Sequence, residues 1–337
     1  MNKRVKMLLA IFVIILVCFG CYLKYRKLNS NFEIKSDQWA LYNYGQTIKS
    51  SNGIKGIDIN ILKAWKITKG NPNVLVAVVD SGVDTSDKGL SDAIYSKGKY
   101  NKDFYYNDNT IYDSYLQDYH GTYIANTIAC YDLDSKIYGV APEVSILPIK
   151  FLRNTSGSVS DAIRAINYAC EIGAKIINCS WNFMEYNDEL YNVIASHPNV
   201  LFVCAAGNSN LNLDKENIYP TSYDLSNILT VLAIDNTGKV YNSSGRGMKV
   251  DIAAPGVNII TILPENDITY INGTSIATAF VSGVTALMLS VNNRLTPEEV
   301  IDIVINNANK IDTLDGKCSS GGIIDAYSCL TAAKDIK

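Results

Sequence analysis

Four polar residues stand where secondary elements should begin or end: Asp80, His120, Asn208 and Ser275. Asp80 closes the apolar run Val74–Val79, and Asn208 follows the run F-V-C-A-A-G. His120 opens H-G-T-Y-I-A-N-T-I-A, in which Ile124 and Ile128 mark one face, and Ser275 heads a long apolar stretch after N-G-T. Together these groups can perform acyl transfer. A serine hydroxyl is a weak nucleophile until an adjacent base removes its proton. The imidazole of His120 would be that base, with Asp80 holding its tautomer and stabilising the imidazolium. The Asn208 amide and the Ser275 backbone N–H would bind the developing oxyanion. The chain has only two histidines, and His197, in S-H-P-N, reads as a connector between elements. Singly, each residue has an ordinary alternative: Ser275 or Asp80 as a helix cap, His120 as a capping or packing residue, Asn208 after Gly207 as a turn. The joint occurrence argues against those alternatives.

The elements that must position these groups alternate between strand and helix. Val74–Val79, Glu143–Leu152, Ala174–Cys179, Val200–Ala206 and Ile228–Ile234 contain apolar, β-rich runs of the kind buried on both faces of a parallel sheet. Ser160–Ile172 is amphipathic and closed by Gly173, and Thr296-Pro297-Glu298-Glu299 combines an N-cap, a first-turn proline and a capping-box glutamate. This is an α/β chain with a mostly parallel sheet. Its reactive groups belong beyond the carboxyl ends of the strands. Ile276, Ala279, Phe280, Gly283, Val284, Leu287 and Met288 recur at helical spacing and predict one buried stripe behind Ser275.

With 337 residues, 47% hydrophobic and 19% charged, the chain has ample core for a folded domain, and a net charge of −3 gives no footprint for nucleic acid. Lys3, Arg4 and Lys6 precede an apolar stretch from Met7 to Leu23, followed by Lys24, Arg26 and Lys27. That length suffices for a membrane-spanning helix. We therefore expect an anchor within residues 1–31, a single domain over residues 32–337, and a domain outside the cell. Cys130, Cys170, Cys179 and Cys204 lie in apolar runs and read as small buried hydrophobes, while Cys318 and Cys329 flank a loop and could pair in an oxidising compartment.

The stretches D-S-G-V-D, H-G-T-Y-I-A, G-V-A-P (Gly139–Pro142), A-A-G-N and G-T-S-I-A resemble, in content and order, those of the subtilisin-like serine peptidases. The resemblance runs from Gln38-Trp39 to Ala326 and implies the family's three-layer fold, a protein or peptide substrate, a triad of Asp80, His120 and Ser275, and Asn208 as oxyanion donor. A catalytically inactive member that binds peptides or scaffolds a partner is the alternative, and four intact groups weigh against it. An esterase of the α/β-hydrolase type needs a histidine after the serine, and none follows Ser275.

The departures from the family pattern are informative. The usual Met-Ala-x-Pro after the serine is Ile276-Ala277-Thr278-Ala279 here. The carboxylate of the family's tight calcium site corresponds to Gly89, with Asp132 and Asp134 in the other ligand-bearing loop, so no cofactor is required by the residues, and calcium is left unsupported but not excluded. About a dozen residues separate the apolar segment from the domain, so no folding-assistant propeptide is expected between them. In the pocket for the residue before the cleaved bond, one wall is Ser180-Trp181-Asn182 where the family has Ser-Leu-Gly. The other wall includes Ala206 and Gly207, and the floor is Ile218 instead of glycine. These residues predict a shallow pocket for small side chains, with Trp181 available for apolar contact further along the substrate.

Overall fold

Leu75–Asp80 (β1) is apolar up to its last residue and buried throughout, as a central parallel strand must be. It leads to His120–Ala129 (α1), then Ser145–Lys150 (β2), Val159–Ile172 (α2), Ile176–Cys179 (β3), Asp188–Ala195 (α3), Leu201–Ala205 (β4), Ile228–Ile234 (β5) and Ile252–Pro255 (β6). Thr274–Val291 (α4), Pro297–Asn306 (α5) and Ala326–Asp335 (α6) complete the main elements. The computed structural model describes residues 34–112, 118–154, 156–263 and 267–336, and the expected anchor lies outside them. Ile34–Lys337 forms one compact unit.

Among the described residues, nine strands form the central sheet in the order Asn309–Lys310, Gly322–Ile323, β6, β5, β4, β3, β1, β2, Lys102–Asp103. Every neighbouring pair is parallel except the short one at the Asn309 edge. The chain leaves β1 on one side for β2 and returns across it to β3. β1 is thus flanked by strands reached in opposite directions, and the crevice beyond its carboxyl end is the switch point where such sheets place their ligands.

Strand alternation divides the core into two layers. Ala77, Val79, Ile177, Cys179, Phe202 and Cys204 face α2 and α3, which bury Ala162, Ala165, Ile166, Leu190 and Ile194 against them. On the opposite face Asn178 meets α4, accepting a hydrogen bond from the Ser282 hydroxyl (3.0 Å), and α4 packs beside α1. The expected caps are present. Ser158 accepts from the Asp161 N–H at 3.0 Å, Gly173 closes α2 at φ 99°, and Thr296 and Glu299 form a reciprocal capping box.

Two expectations need correction. The single stripe predicted behind Ser275 is instead burial on every side, from Thr274 to Leu289, because α4 lies between the sheet and α1. It is the one described helix long and apolar enough to cross a membrane, and it is the core helix of this domain. Cys318 and Cys329 are both free thiols. Cys318 is buried against the Ser320 hydroxyl (3.5 Å), while Cys329 is enclosed on the inward face of α6 with Ala326, Leu330 and Ala333. The strand Gly322–Ile323 and the start of α6 separate them along the chain, and each thiol packs in its own surroundings.

Candidate active site

The carboxylate of Asp80 has no exposed surface. Its Oδ1 accepts from the Ser81 N–H and from Nδ1 of His120, both at 2.7 Å. Oδ2 is buried and makes no hydrogen bond among the described residues. With Nδ1 protonated against the carboxylate, Nε2 of His120 is left with its lone pair, on a side chain that is 38% exposed. This contact depends on a close backbone approach. A Cβ at Gly121 would lie 2.1 Å from the Gly82 carbonyl, so only glycine lets the start of α1 rest on the turn after Asp80.

Ser275 is the second residue of α4, where a backbone N–H has no intrahelical acceptor. Gly273, at φ 145°, supplies the turn into the helix. The Ser275 hydroxyl donates to the Ser180 carbonyl at 3.1 Å, and the Ser180 hydroxyl donates back to the Ser275 carbonyl at 3.0 Å. These reciprocal bonds fasten the helix start to the end of β3. Asn208, just beyond β4, accepts at Oδ1 from both the N–H (2.9 Å) and the hydroxyl (3.1 Å) of Thr274. Two donors on one oxygen fix the orientation of the amide, so the Nδ2 donors point away from Thr274. His120, Ser180, Asn208 and Ser275 all line one cleft of about 820 Å³, with Asp80 buried behind it.

The sequence pattern of the subtilase family matches residues 71–321. The chain belongs to the subtilase family. The thermophilic serine proteinase of Bacillus sp. (strain AK1) is 34% identical over 272 residues, covering 80% of this chain and 64% of that protein. The major intracellular serine protease of Bacillus subtilis is 34% identical over 270 residues, covering 75% and 82%. A solved chain from the subtilase cytotoxin SubAB assembly superposes with a TM-score of 0.70 at 28% identity, covering 82% of this chain and 94% of that one. A protease structure from Pseudoalteromonas arctica gives 0.73 at 24% identity and shares the fold.

In this subtilase the candidate specificity residues are placed unequally. Asn182 Nδ2 donates to the Ala205 carbonyl (3.0 Å) and to the Thr221 hydroxyl (2.9 Å), and Thr221 donates to the same carbonyl at 2.7 Å. The Asn182 side chain therefore bridges the two walls. Ile218 is 2% exposed, and its Cδ1 lies 2.7 Å from where a Cβ on Gly207 would be. Ala206 is held by its N–H to the Val231 carbonyl (2.9 Å). Trp181 belongs mainly to the core. Its indole donates to the Val79 carbonyl at 2.9 Å, its ring packs edge-on against Phe151 and Phe183, and only a margin reaches the cleft.

The position of the family's calcium carboxylate does not fit a hard cation. A Cβ at Gly89 would lie 2.6 Å from the Cys130 sulfur and 3.2 Å from Asp87 Oδ1. Burial pushes the Cys130 thiol well above its ordinary range, so it is neither charged nor an oxygen ligand.

Three residues of the site gave no signal by type or spacing. Thr274 orients Asn208, Asn178 joins Ser180 (2.8 Å) to α4, and Lys150 lies buried beside Asp118, two residues before His120.

Burial alone would lower the His120 pKa, but the charge of Asp80 and the hydrogen bond to it together raise it above 6.5. Protonated His120 therefore stabilises the fold. That contribution is complete below the unfolded value and is lost as pH rises through the folded one. The two histidines allow a direct check by NMR titration. The His120 midpoint should lie above 6.5 in the wild type. In Asp80→Asn, with burial kept and the charge removed, it should fall below that value, and an unchanged midpoint would disprove the coupling.

Proposed function

We propose that this subtilase is a serine endopeptidase in which Asp80, His120 and Ser275 form the triad and Asn208 is an oxyanion donor. The observation that carries the reading is the 2.7 Å contact between Asp80 and His120 Nδ1, behind a cleft that also holds Ser275 and Asn208. In the reaction the Ser275 hydroxyl leaves the Ser180 carbonyl for Nε2 of His120, which takes its proton as Oγ attacks the substrate carbonyl. Asp80 stabilises the imidazolium, and the oxyanion accepts from Asn208 Nδ2 and the Ser275 N–H. Collapse transfers the proton to the leaving amine and gives an acyl-enzyme, which water then hydrolyses with His120 again as base.

The test is covalent labelling of the full chain by a serine-directed phosphonate, with the site mapped by mass spectrometry. Label on Ser275, and none on Ser275→Ala, is expected; a folded wild-type chain that takes no label would mark a binding protein. Asn208→Ala should lower kcat by about 10²–10³-fold with little change in KM, the magnitude known for single oxyanion donors in this class. Loss of binding with kcat intact would instead make Asn208 a substrate contact.

The preferred substrate residue before the cleaved bond is small: Ala, Ser or Gly. The Asn182 bridge and Ile218 occupy the space that a large side chain would need. Forcing extra atoms into a packed site costs about 1–3 kcal/mol, or roughly five- to two-hundred-fold in discrimination. A peptide-library profile should show this preference and shift toward larger residues in Ile218→Gly. Efficient wild-type cleavage after Phe, Tyr or Leu would overturn it.

The domain is tethered to a membrane by Met7–Leu23, a reading that rests on the length and apolarity of that segment. Lys/Arg on both flanks do not choose the side, and Cys318 and Cys329 are unpaired, so the outer face is the part under test. External protease should digest the domain on intact cells, and protection until lysis would reverse the topology.

A further inference from the structure

Lys150 ends β2 directly opposite Asp80 in the strand register, and it is 1% exposed. An ammonium group has three N–H donors, and here all three are used. Lys150 Nζ donates to the Ser81 carbonyl (2.6 Å), to Asp118 Oδ2 (2.7 Å) and to the Leu152 carbonyl (3.0 Å). The acceptors belong to three separate pieces of chain: the turn after Asp80, the approach to His120, and the edge of the cleft. Asp118, itself 2% exposed, accepts at Oδ1 from the Asn154 N–H (2.6 Å). Ser81 closes the arrangement. Its hydroxyl donates to the Asp118 carbonyl (3.2 Å) and accepts from the Gly121 N–H (3.1 Å).

Stability is a weak reason for this arrangement. Desolvating an ammonium and a carboxylate commonly costs more than their attraction returns, and apolar replacements of such buried pairs are often neutral or stabilising. What the pair does supply is a fixed separation between two chain segments that bring Asp80 and His120 together from positions 40 residues apart.

We propose that Lys150 is a positioning residue for the triad: through Ser81 and Asp118 its ammonium holds the Asp80 and His120 segments at the spacing their contact requires. The bond to Leu152 ties the same strut to the cleft edge, where Leu152 and Asn154 line the site. The proposal rests on the peptidase reading above, and its test separates the two.

The experiment uses the full chain with Lys150→Met and with Lys150→Met/Asp118→Asn, the second so that no unpaired buried carboxylate remains. Near-ultraviolet circular dichroism reports the fold. The low-field proton resonance of His120 Nδ1–H reports its bond to Asp80, and the rate of phosphonate labelling reports the competence of Ser275. In the folded double variant the resonance should broaden or vanish, and labelling should slow by about 10²-fold, the effect of an ångström-scale misplacement transmitted from outside the reacting groups. A folded double variant that keeps the resonance and labels at the wild-type rate would overturn the proposal, as would loss of the native fold in both variants, which would make the pair a stability element. A wild-type chain that shows the resonance but takes no label sinks the peptidase reading instead, and the resonance alone then decides whether Lys150 holds the two side chains together.

Discussion

A carboxylate with no exposed surface is unstable as an anion unless charge and hydrogen bonds gather around it, and Asp80 is such a group. Its needs are met locally by the Ser81 N–H and, from far along the chain, by His120. One oxygen carries both bonds while the other has no partner among the described residues. The anion is therefore held by one backbone donor and one imidazole, both at 2.7 Å. The charge of Asp80 and the hydrogen bond to it make protonation of His120 favourable despite burial, as the proposed role of general base requires.

The rest of the fold brings other groups to the same place without long reaches. β1, β3 and β4 run parallel, so their carboxyl ends deliver Asp80, Ser180 and Asn208 to one edge of the sheet. The starts of α1 and α4 deliver His120 and Ser275 to that edge. His120 and Ser275 both line the one cleft, so the two helix starts meet there, and in the proposed reaction it is the Ser275 N–H that faces the developing charge. Glycine at 121 permits the contact on one side, and the Ser180–Ser275 bonds fix it on the other.

Most of this scaffold was legible in the sequence because parallel strands buried on both faces leave unbroken apolar runs. The run Val74–Val79 became β1 with a one-residue shift, and Ile228–Ile234 became β5 as read. Period failed for α4, where burial on every side erases the polar face that defines a stripe. It failed also for Lys150. Lysine is ordinarily a surface residue, and only the tertiary meeting of Ser81, Asp118 and Leu152 makes its burial tolerable. Asn182 shows the same limit. Its size could be read as narrowing a pocket, but its bonds to Ala205 and Thr221, which hold it there, join positions 23 and 39 residues away.

The residues on either side of Ser275 fasten the start of α4 by side-chain hydrogen bonds. The family's proline position, Ala279, is the sixth residue of α4, where a proline would restrict φ but give up the backbone bond to the carbonyl four residues earlier. Ala279 keeps that backbone donor, and beside it the hydroxyl of Thr278 donates back to the Thr274 carbonyl at 2.8 Å. In most helices a back-bond of this kind is neutral or mildly unfavourable, because it competes with the backbone ladder. Here it fastens the residue whose N–H and hydroxyl both orient Asn208. Thr278 is fully buried, so water does not compete for that bond. Hydrogen bonds thus run from Thr278 through Thr274 to the Asn208 amide, so the start of α4 and the orientation of Asn208 are set together.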